Sequence, residues 1–296
     1  MLFGETGSDA GAHRVGVRNS REGLEVRVDG ISSGGAAALA QALPLQVIDP
    51  EVHNLVAGGP ELRRRFIDWV AFHVEHDHLQ TWRQFRRALK QRNAALKSGA
   101  SVATIRSWDA EFVDLAARLD ASRRDALEVA IGALADFGAR LLNTDLGFEY
   151  QQGWNVGKPL ADALAEGLER DRQQGATQSG PHRADLKVTY DERQARKLVS
   201  RGQQKLLASA MILAATETAQ SALERPLLLL LDDPAAFWAE ALNTFLVERI
   251  DAETLDAAGA GQLVPLMAGW MAGGVAATWF LGAVASLLLA RYWASL

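Results

Sequence analysis

Cysteine is absent from this 296-residue chain. That excludes disulfides and cysteine-ligated zinc, and it fits a reducing compartment. An excess of basic charge is also lacking: 31 Lys and Arg stand against 36 Asp and Glu, for a net charge of −5. No bulk attraction to nucleic acid follows, so any such binding needs a local basic patch. The opening "MLFGETGSDAGAHR" lacks the basic stretch and apolar core of a signal peptide. Charge itself is missing from Ala257 to Ala290. Within that stretch, Leu263 to Ala290 exceeds the ~20 apolar residues that span a bilayer as a helix. Trp270, Trp279 and Trp293 are scattered along and beyond it, and Gly269 and Gly273 form a GxxxG pair suited to close helix packing. A buried hairpin of two helices broken near Gly273-Gly274 is the other reading; length and lack of charge favour a membrane helix over 263–290. Arg249 on one side and Arg291 on the other leave its orientation unassigned.

What is present upstream alternates between strand and helix patterns. "HRVGVRNSREGLEVRVDG" (His13 to Gly30) alternates apolar and polar residues around "NSREG", the pattern of a β-hairpin. "LPLQVIDPE" (Leu43 to Glu51) reads as a short strand stopped by Asp49-Pro50. From Glu61 to about Leu142 the period is helical, with Phe66, Val70, Trp82, Phe85, Leu89 and Leu96 on apolar stripes, and Ser107 is the expected N-cap of the last helix in the run. "DLGFEYQQGW" and "ADLKVTYD" read as strands. Between them, "PLADALAEGLERDRQQG" is an amphipathic helix with Pro159 at its start and Gly175 at its end.

Two segments carry chemistry. In "VSRGQQKLLASAMILAA" (Val199 to Ala215), Ser200 can cap a helix starting near Arg201, and Gly202 lets the backbone approach a ligand closely. Free N–H groups at such a helix start seat phosphate oxygens. In "RPLLLLLDDPAA" (Arg225 to Ala236), an apolar strand reads as buried and ends in the carboxylates Asp232 and Asp233. The helix-then-strand spacing sets this pair apart from an ordinary buried strand running into a loop. Carboxylates so placed can hold Mg²⁺ and orient an attacking water.

These segments resemble the RecF family of bacterial DNA replication and repair ATPases, within the wider ABC-type ATPase class. The resemblance runs from about Glu22 to Ala236. It includes "LPLQVIDPEVHNLVAGGPELRRRFIDW", "LKQRNAALK", "GFEYQQGW", "ERDRQQGATQSGPHRADL" and "VSRGQQKLL" in family order. It implies that Gln46 is the residue sensing Mg²⁺ and the γ-phosphate, and that Ser200, Arg201, Gly202 and Gln203 form the signature capping ATP held by a partner subunit. Asp232 and Asp233 are then the Walker B pair, with Mg²⁺ near Asp232 through water. The family's glycine-lysine phosphate loop, GxxxxGK[ST], matches nothing here, since the only Gly-Lys is Gly157-Lys158, followed by Pro159. The chain thus reads as starting roughly 70 residues into the family pattern. After "LLDDPAA" the pattern stops again at Phe237-Trp238. The last residues, 237–296, resemble instead the C-terminal membrane helix of an uncharacterised bacterial inner-membrane family.

The fold expected is α/β: an incomplete ABC-type ATPase head with a large helical lobe, followed by a C-terminal hydrophobic helix. Its parts are a β-rich remnant (1–60), a helical lobe (61–143), the signature and Walker B part (144–236) and an unrelated tail (237–296). The family resemblance implies ATP, Mg²⁺ and single-stranded or gapped DNA as ligands. It implies a homodimer or an intact RecF-type subunit and recombination mediator proteins as partners, roles in recombinational repair and the SOS response, and a cytoplasmic location. Without its own lysine loop the chain is expected not to hydrolyse ATP alone. The alternative is a membrane-tethered, non-enzymatic fusion remnant at the inner membrane. Leu79 to Lys97 holds six basic residues and no acidic ones, and Arg83, Arg87, Lys90 and Lys97 fall near one helical face. That face is either solvated or in contact with DNA phosphates, and the resemblance favours DNA. Arg63-Arg64-Arg65 is expected to serve internal ion pairs. "FHVEHDH" has no closed metal-site spacing and reads as a polar helix end. His182 and Arg183 stabilise a loop or lie near DNA or nucleotide.

Overall fold

The computed structural model describes residues 2–8, 11–20, 23–33, 36–142, 144–225 and 227–232, which fall within one compact unit. The expected membrane helix 263–290, the join after Ala236 and Asp233 lie outside the described residues.

The chain opens with an antiparallel meander: β1 (Leu2–Ser8), β2 (Gly11–Ser20), β3 (Gly23–Val28) and β4 (Ile31–Ser33), hydrogen-bonded in that order. The hairpin expected at His13–Gly30 is β2–β3, with Val15 opposite Val28 and Val17 opposite Val26. Helix α1 (Ala36–Ala42) leads to β5 (Leu45–Ile48). Asp49-Pro50 ends β5, and the Asp49 carboxylate accepts from the Glu51 backbone N–H at 2.9 Å, closing a turn into α2 (Asn54–Ala57).

Three long helices carry the lobe: α3 (Pro60–Val74), α4 (His78–Lys97) and α6 (Asp109–Leu142), with the short α5 (Val102–Arg106) between the last two. Helix α6, 34 residues, is about 51 Å long and packs against both α3 and α4. The apolar stripe of α4 is buried as its period implies: Phe85 and Leu96 are nearly inaccessible, and Phe85 meets Phe112 of α6 at 5.2 Å between ring centroids. Phe85, Ala88, Phe112, Leu115, Ala116 and Leu119 form one core cluster, closed by Leu160 and Leu164. Burying each such large side chain contributes roughly 1.5–3 kcal/mol. One expected cap is corrected. Ser107 closes α5, its hydroxyl donating to the Thr104 carbonyl at 2.7 Å, while the Trp108 carbonyl accepts the first bond of α6 from Phe112.

Strand β6 (Leu146–Gln151) follows, then α7 (Leu160–Gln174), β7 (Asp185–Tyr190), β8 (Arg193–Gln194) and α8 (Ala195–Leu198). β6, β7 and β8 form an antiparallel sheet. Gly175 ends α7 at φ 62°, the left-handed cap that favours glycine. Helix α9 (Arg201–Leu223) is apolar nearly all round, and packs against α2, α3 and α6. It is long and apolar enough to cross a bilayer, but 56% of its most apolar window is buried, the pattern of a core helix. The chain then enters β9 (Leu228–Leu231), which pairs parallel with β5, Leu45 opposite Leu228 and Ile48 opposite Leu231. The expectation that this strand is buried is corrected: Leu228 and Leu230 are 46% and 44% exposed. Among the described residues β9 has one strand neighbour, and Leu231 is likewise 40% exposed.

Candidate functional site

Ser200 stands where the extended chain of Val199 turns into α9. Its hydroxyl accepts from the Gln203 backbone N–H at 3.3 Å, and the Gln203 side-chain oxygen accepts from the Ser200 N–H at 2.8 Å. This reciprocal capping box satisfies two donors that a helix start would otherwise leave open. Gln204 adds a bond from its side-chain amide to the Val199 carbonyl at 3.2 Å. The segment Ser200–Gln203 is therefore held by hydrogen bonds of its own. Ser200 and Arg201 are exposed, and the N-terminal end of a 23-residue helix favours an anion.

Gln46 lies inside β5, opposite Leu229 of β9, and is partly accessible. Asp232 follows β9 directly, its backbone N–H bonded to the Ile48 carbonyl at 2.9 Å and its side chain exposed. The parallel pairing thus brings Gln46 and Asp232 onto neighbouring strands, with Asp232 at their shared C-terminal end, where ligands of parallel sheets gather. No hydrogen bond joins Ser200, Gln46 or Asp232 to one another among the described residues. Exposed and free of ion pairs there, the Asp232 carboxylate suits water-mediated Mg²⁺ binding, and the α9 N-terminus suits a phosphate oxygen. Lys158 is unlike a phosphate-loop lysine: it sits on the turn before α7, 2.5 Å from the Glu166 carboxylate.

On α4, Arg83, Arg87, Lys90 and Lys97 are exposed, and none makes an ion pair among the described residues. Arg86 joins this face, its guanidinium 4.6 Å above the Trp82 ring. Arg92, fifth in the basic run, turns the other way and is 0% exposed. It bonds Asp109, Asp171 and Thr177, each at 2.8 Å, and ties α4 to α6, α7 and the loop after α7. Asp171 is itself almost wholly buried and also accepts from the Gln178 N–H at 2.9 Å.

A second hub joins α3 to α6. Arg123 grips Asp68 through two bonds of 2.7 and 3.0 Å and donates to the Pro181 carbonyl at 2.7 Å. Burial alone would raise the Asp68 pKa; contact with His78 and the charge of Arg123 more than offset it, leaving the carboxyl below its usual range. Arg63 makes a third, bidentate to Asp185 at 2.7 and 3.0 Å and capping the Gly58 carbonyl at 2.9 Å. The expected internal role of the arginine run holds for Arg63. No group of three ligating side chains occurs among the described residues, the histidines after Phe72 included. His73 is buried between the Trp69 and Phe72 rings, whereas His78 shares a hydrogen with Ser122 at 2.7 Å. Burial, aided by Arg225, holds the His73 pKa down to about 4. His182 is also lowered to about 4, chiefly by burial against its bond to the Thr177 carbonyl. Its ring packs on Phe85 and Phe112, so it secures the loop to the core.

No family model matches the chain. Among curated proteins it is 33% identical over 274 residues to the DNA replication and repair protein RecF of Hydrogenovibrio crunogenus, covering 90% of this chain and 76% of that protein. The RecF of Cronobacter sakazakii is 38% identical over 254 residues, 71% of its length. That of Stutzerimonas stutzeri is 39% identical over 228 residues, and there the chain spans 62% of the relative. Among solved structures, the recombination mediator protein RecF with ATPrS, of the RecFOR pathway, superposes with a TM-score of 0.72 at 22% identity. That match covers 78% of this chain and 67% of the solved one, and it establishes a shared fold.

Proposed function

The chain belongs to the RecF family of DNA replication and repair proteins, and from that premise we propose that it acts in the cytoplasm on single-stranded or gapped DNA, as one half of an ATP-dependent, two-subunit assembly in recombinational repair. The observation that carries this reading is the preformed capping box of Ser200 and Gln203 at the exposed start of α9. In this reading Ser200, Arg201, Gly202 and Gln203 cap the γ-phosphate of ATP bound by the facing subunit. Gln46 and Asp232, on adjacent strands, stand where Mg²⁺ and the phosphate end of a nucleotide are sensed, with Asp233 beside them in sequence. The nucleotide and its metal supply the driving force for closing the two subunits. The start of α9 would orient a phosphate there, and Asp232 would hold a water of the bound metal. No GxxxxGK[ST] segment occurs in these 296 residues, so the ATP they cap is carried by an intact RecF-type subunit. DNA then lies along the basic face of α4 formed by Arg83, Arg87, Lys90 and Lys97. Residues 1–60 and 144–236 belong to the nucleotide head in this scheme, and 61–143 to the DNA-contacting lobe. Recombination mediator proteins are its further partners.

The test is fluorescence anisotropy with a labelled gapped duplex, over a salt series. Binding should be retained by Ser200→Arg and weakened by Arg83→Gln/Arg87→Gln/Lys90→Gln, each lost phosphate contact lowering the salt slope by about 0.9. Unchanged affinity and slope in the triple variant would remove the α4 face from the reading. No binding by the unmodified chain would remove DNA altogether.

A further inference from the structure

Four arginines stand over aromatic rings among the described residues, and three of them are otherwise engaged. Arg92, over Phe112, bonds Asp109, Asp171 and Thr177. Arg124, over Tyr150, bonds Asp120 and Gln152, and Arg140, over Phe137, bonds Asp136. Arg86 differs. Its guanidinium stands 4.6 Å from the centroid of the Trp82 ring, the residue is exposed, and it has no hydrogen bond or ion pair among the described residues.

The ring beneath it is anchored. Trp82 and Arg86 are four residues apart on α4 and so share a helical face. The indole packs against the core cluster that holds Phe85 and Phe112, and its Nε1–H donates to the Asp68 carboxylate of α3 at 3.2 Å. Asp68 is itself gripped by Arg123 of α6 through two bonds. Three helices therefore fix the ring on which Arg86 rests. A guanidinium over an indole offers its outer side to a second flat ring, while its N–H donors stay open at the edge. Arg83, Arg87 and Lys90 are exposed nearby, and no carboxylate interrupts the run from Leu79 to Lys97. Intact duplex hides the faces of its bases in the stack. A single-stranded stretch exposes them beside its phosphates, and they stack on aromatic rings and on arginine planes.

We propose that Arg86, carried on Trp82, is a stacking platform for an unpaired base, and that it makes the α4 face prefer a single-stranded gap to continuous duplex. This rests on the DNA reading given above and deepens it: Arg83, Arg87 and Lys90 take phosphates, and Arg86 registers that a base beside them is unpaired. Every base has a π-face, so the contact carries no sequence preference.

The experiment uses the full chain and two labelled gapped duplexes with the same number of phosphates. One has ordinary nucleotides across the gap, the other abasic nucleotides there. Anisotropy is followed over a salt series. The unmodified chain should bind the ordinary gap at least about fivefold more tightly, the effect of one stacked base. Arg86→Lys, at an exposed position, keeps the charge and removes the planar fork; it should lose most of that preference while the salt slope stays unchanged. Equal affinity of the unmodified chain for the two duplexes overturns the platform, and so does a preference that survives in Arg86→Lys. Either result leaves the phosphate contacts of α4 standing. Native affinity and slope in Arg83→Gln/Arg87→Gln/Lys90→Gln remove the α4 face and the platform with it. Absence of binding to both duplexes by the unmodified chain removes the DNA reading as a whole.

Discussion

Replacing Arg92 with methionine removes a fully buried guanidinium and leaves the rest of its hub in place. Asp171, 2% exposed, keeps only the Gln178 N–H at 2.9 Å, and Thr177 loses its bond to Arg92. Asp109 is partly exposed and can rehydrate, so the cost concentrates on Asp171. Breaking one side of a buried pair costs about 3–5 kcal/mol, mostly as an uncompensated charge. With a urea m-value of about 1–3 kcal/mol per molar, at the upper end for a unit this size, the midpoint should fall by about 1–2 M. Arg92→Met/Asp171→Asn removes the stranded charge and keeps an acceptor for Gln178. That double variant should recover to within about 2 kcal/mol of the native chain. Urea titration followed by far-ultraviolet dichroism and tryptophan fluorescence gives both values. A midpoint shift below about 0.3 M for the single variant, or no recovery in the double, would refute the reasoning.

Acid should destabilise the unit through His73 and His182. Both are held near pKa 4 in the folded chain against an ordinary 6.5, so the unfolded chain binds more protons between those values. Stability is therefore full above pH 6.5 and is lost as pH falls towards 4, by an order of 3 kcal/mol per histidine; His182→Phe should flatten the midpoint-against-pH curve over that window. Ser200→Ala opens the capping box of α9 and should cost about 1 kcal/mol in thermal unfolding, with Ser200→Asp close to native. Gly153→Ala should lower stability by more than about 2 kcal/mol. Its φ of 95° is strained for alanine, and the added methyl would stand 2.3 Å from the Gly180 carbonyl oxygen.

Periodicity made the long helices legible, and so did turn chemistry at Asp49-Pro50, Pro159 and Gly175. The SRGQ segment could be read as a helix cap because a capping box is local, spanning four residues. Arg92 was harder. It lies in step with Phe85, Ala88 and Leu96 on the buried stripe, which is the one signal that it points inward. Its partners stand 17, 79 and 85 residues away, and no local pattern can announce them. Arg123 repeats the case between Leu119 and Ala126, with Asp68 55 residues distant. The apolar run at Leu227–Leu231 suggested burial from composition alone. How much of a strand is covered depends on its neighbours, and β9 has only β5 beside it among the described residues. Ser107 shows the limit of cap reading: a serine between two helices can serve the end of one as well as the start of the next, and here it closes α5.

The most direct test of the account is a mixed-subunit ATPase assay. A full-length RecF relative whose own signature serine has been replaced is titrated with this chain, and Mg²⁺-dependent turnover on gapped DNA is followed. If Ser200 caps ATP held by a facing subunit, turnover rises with added chain and does not rise with Ser200→Arg. Equal stimulation by both, or by neither, would contradict the claim that the start of α9 completes a nucleotide site across the interface.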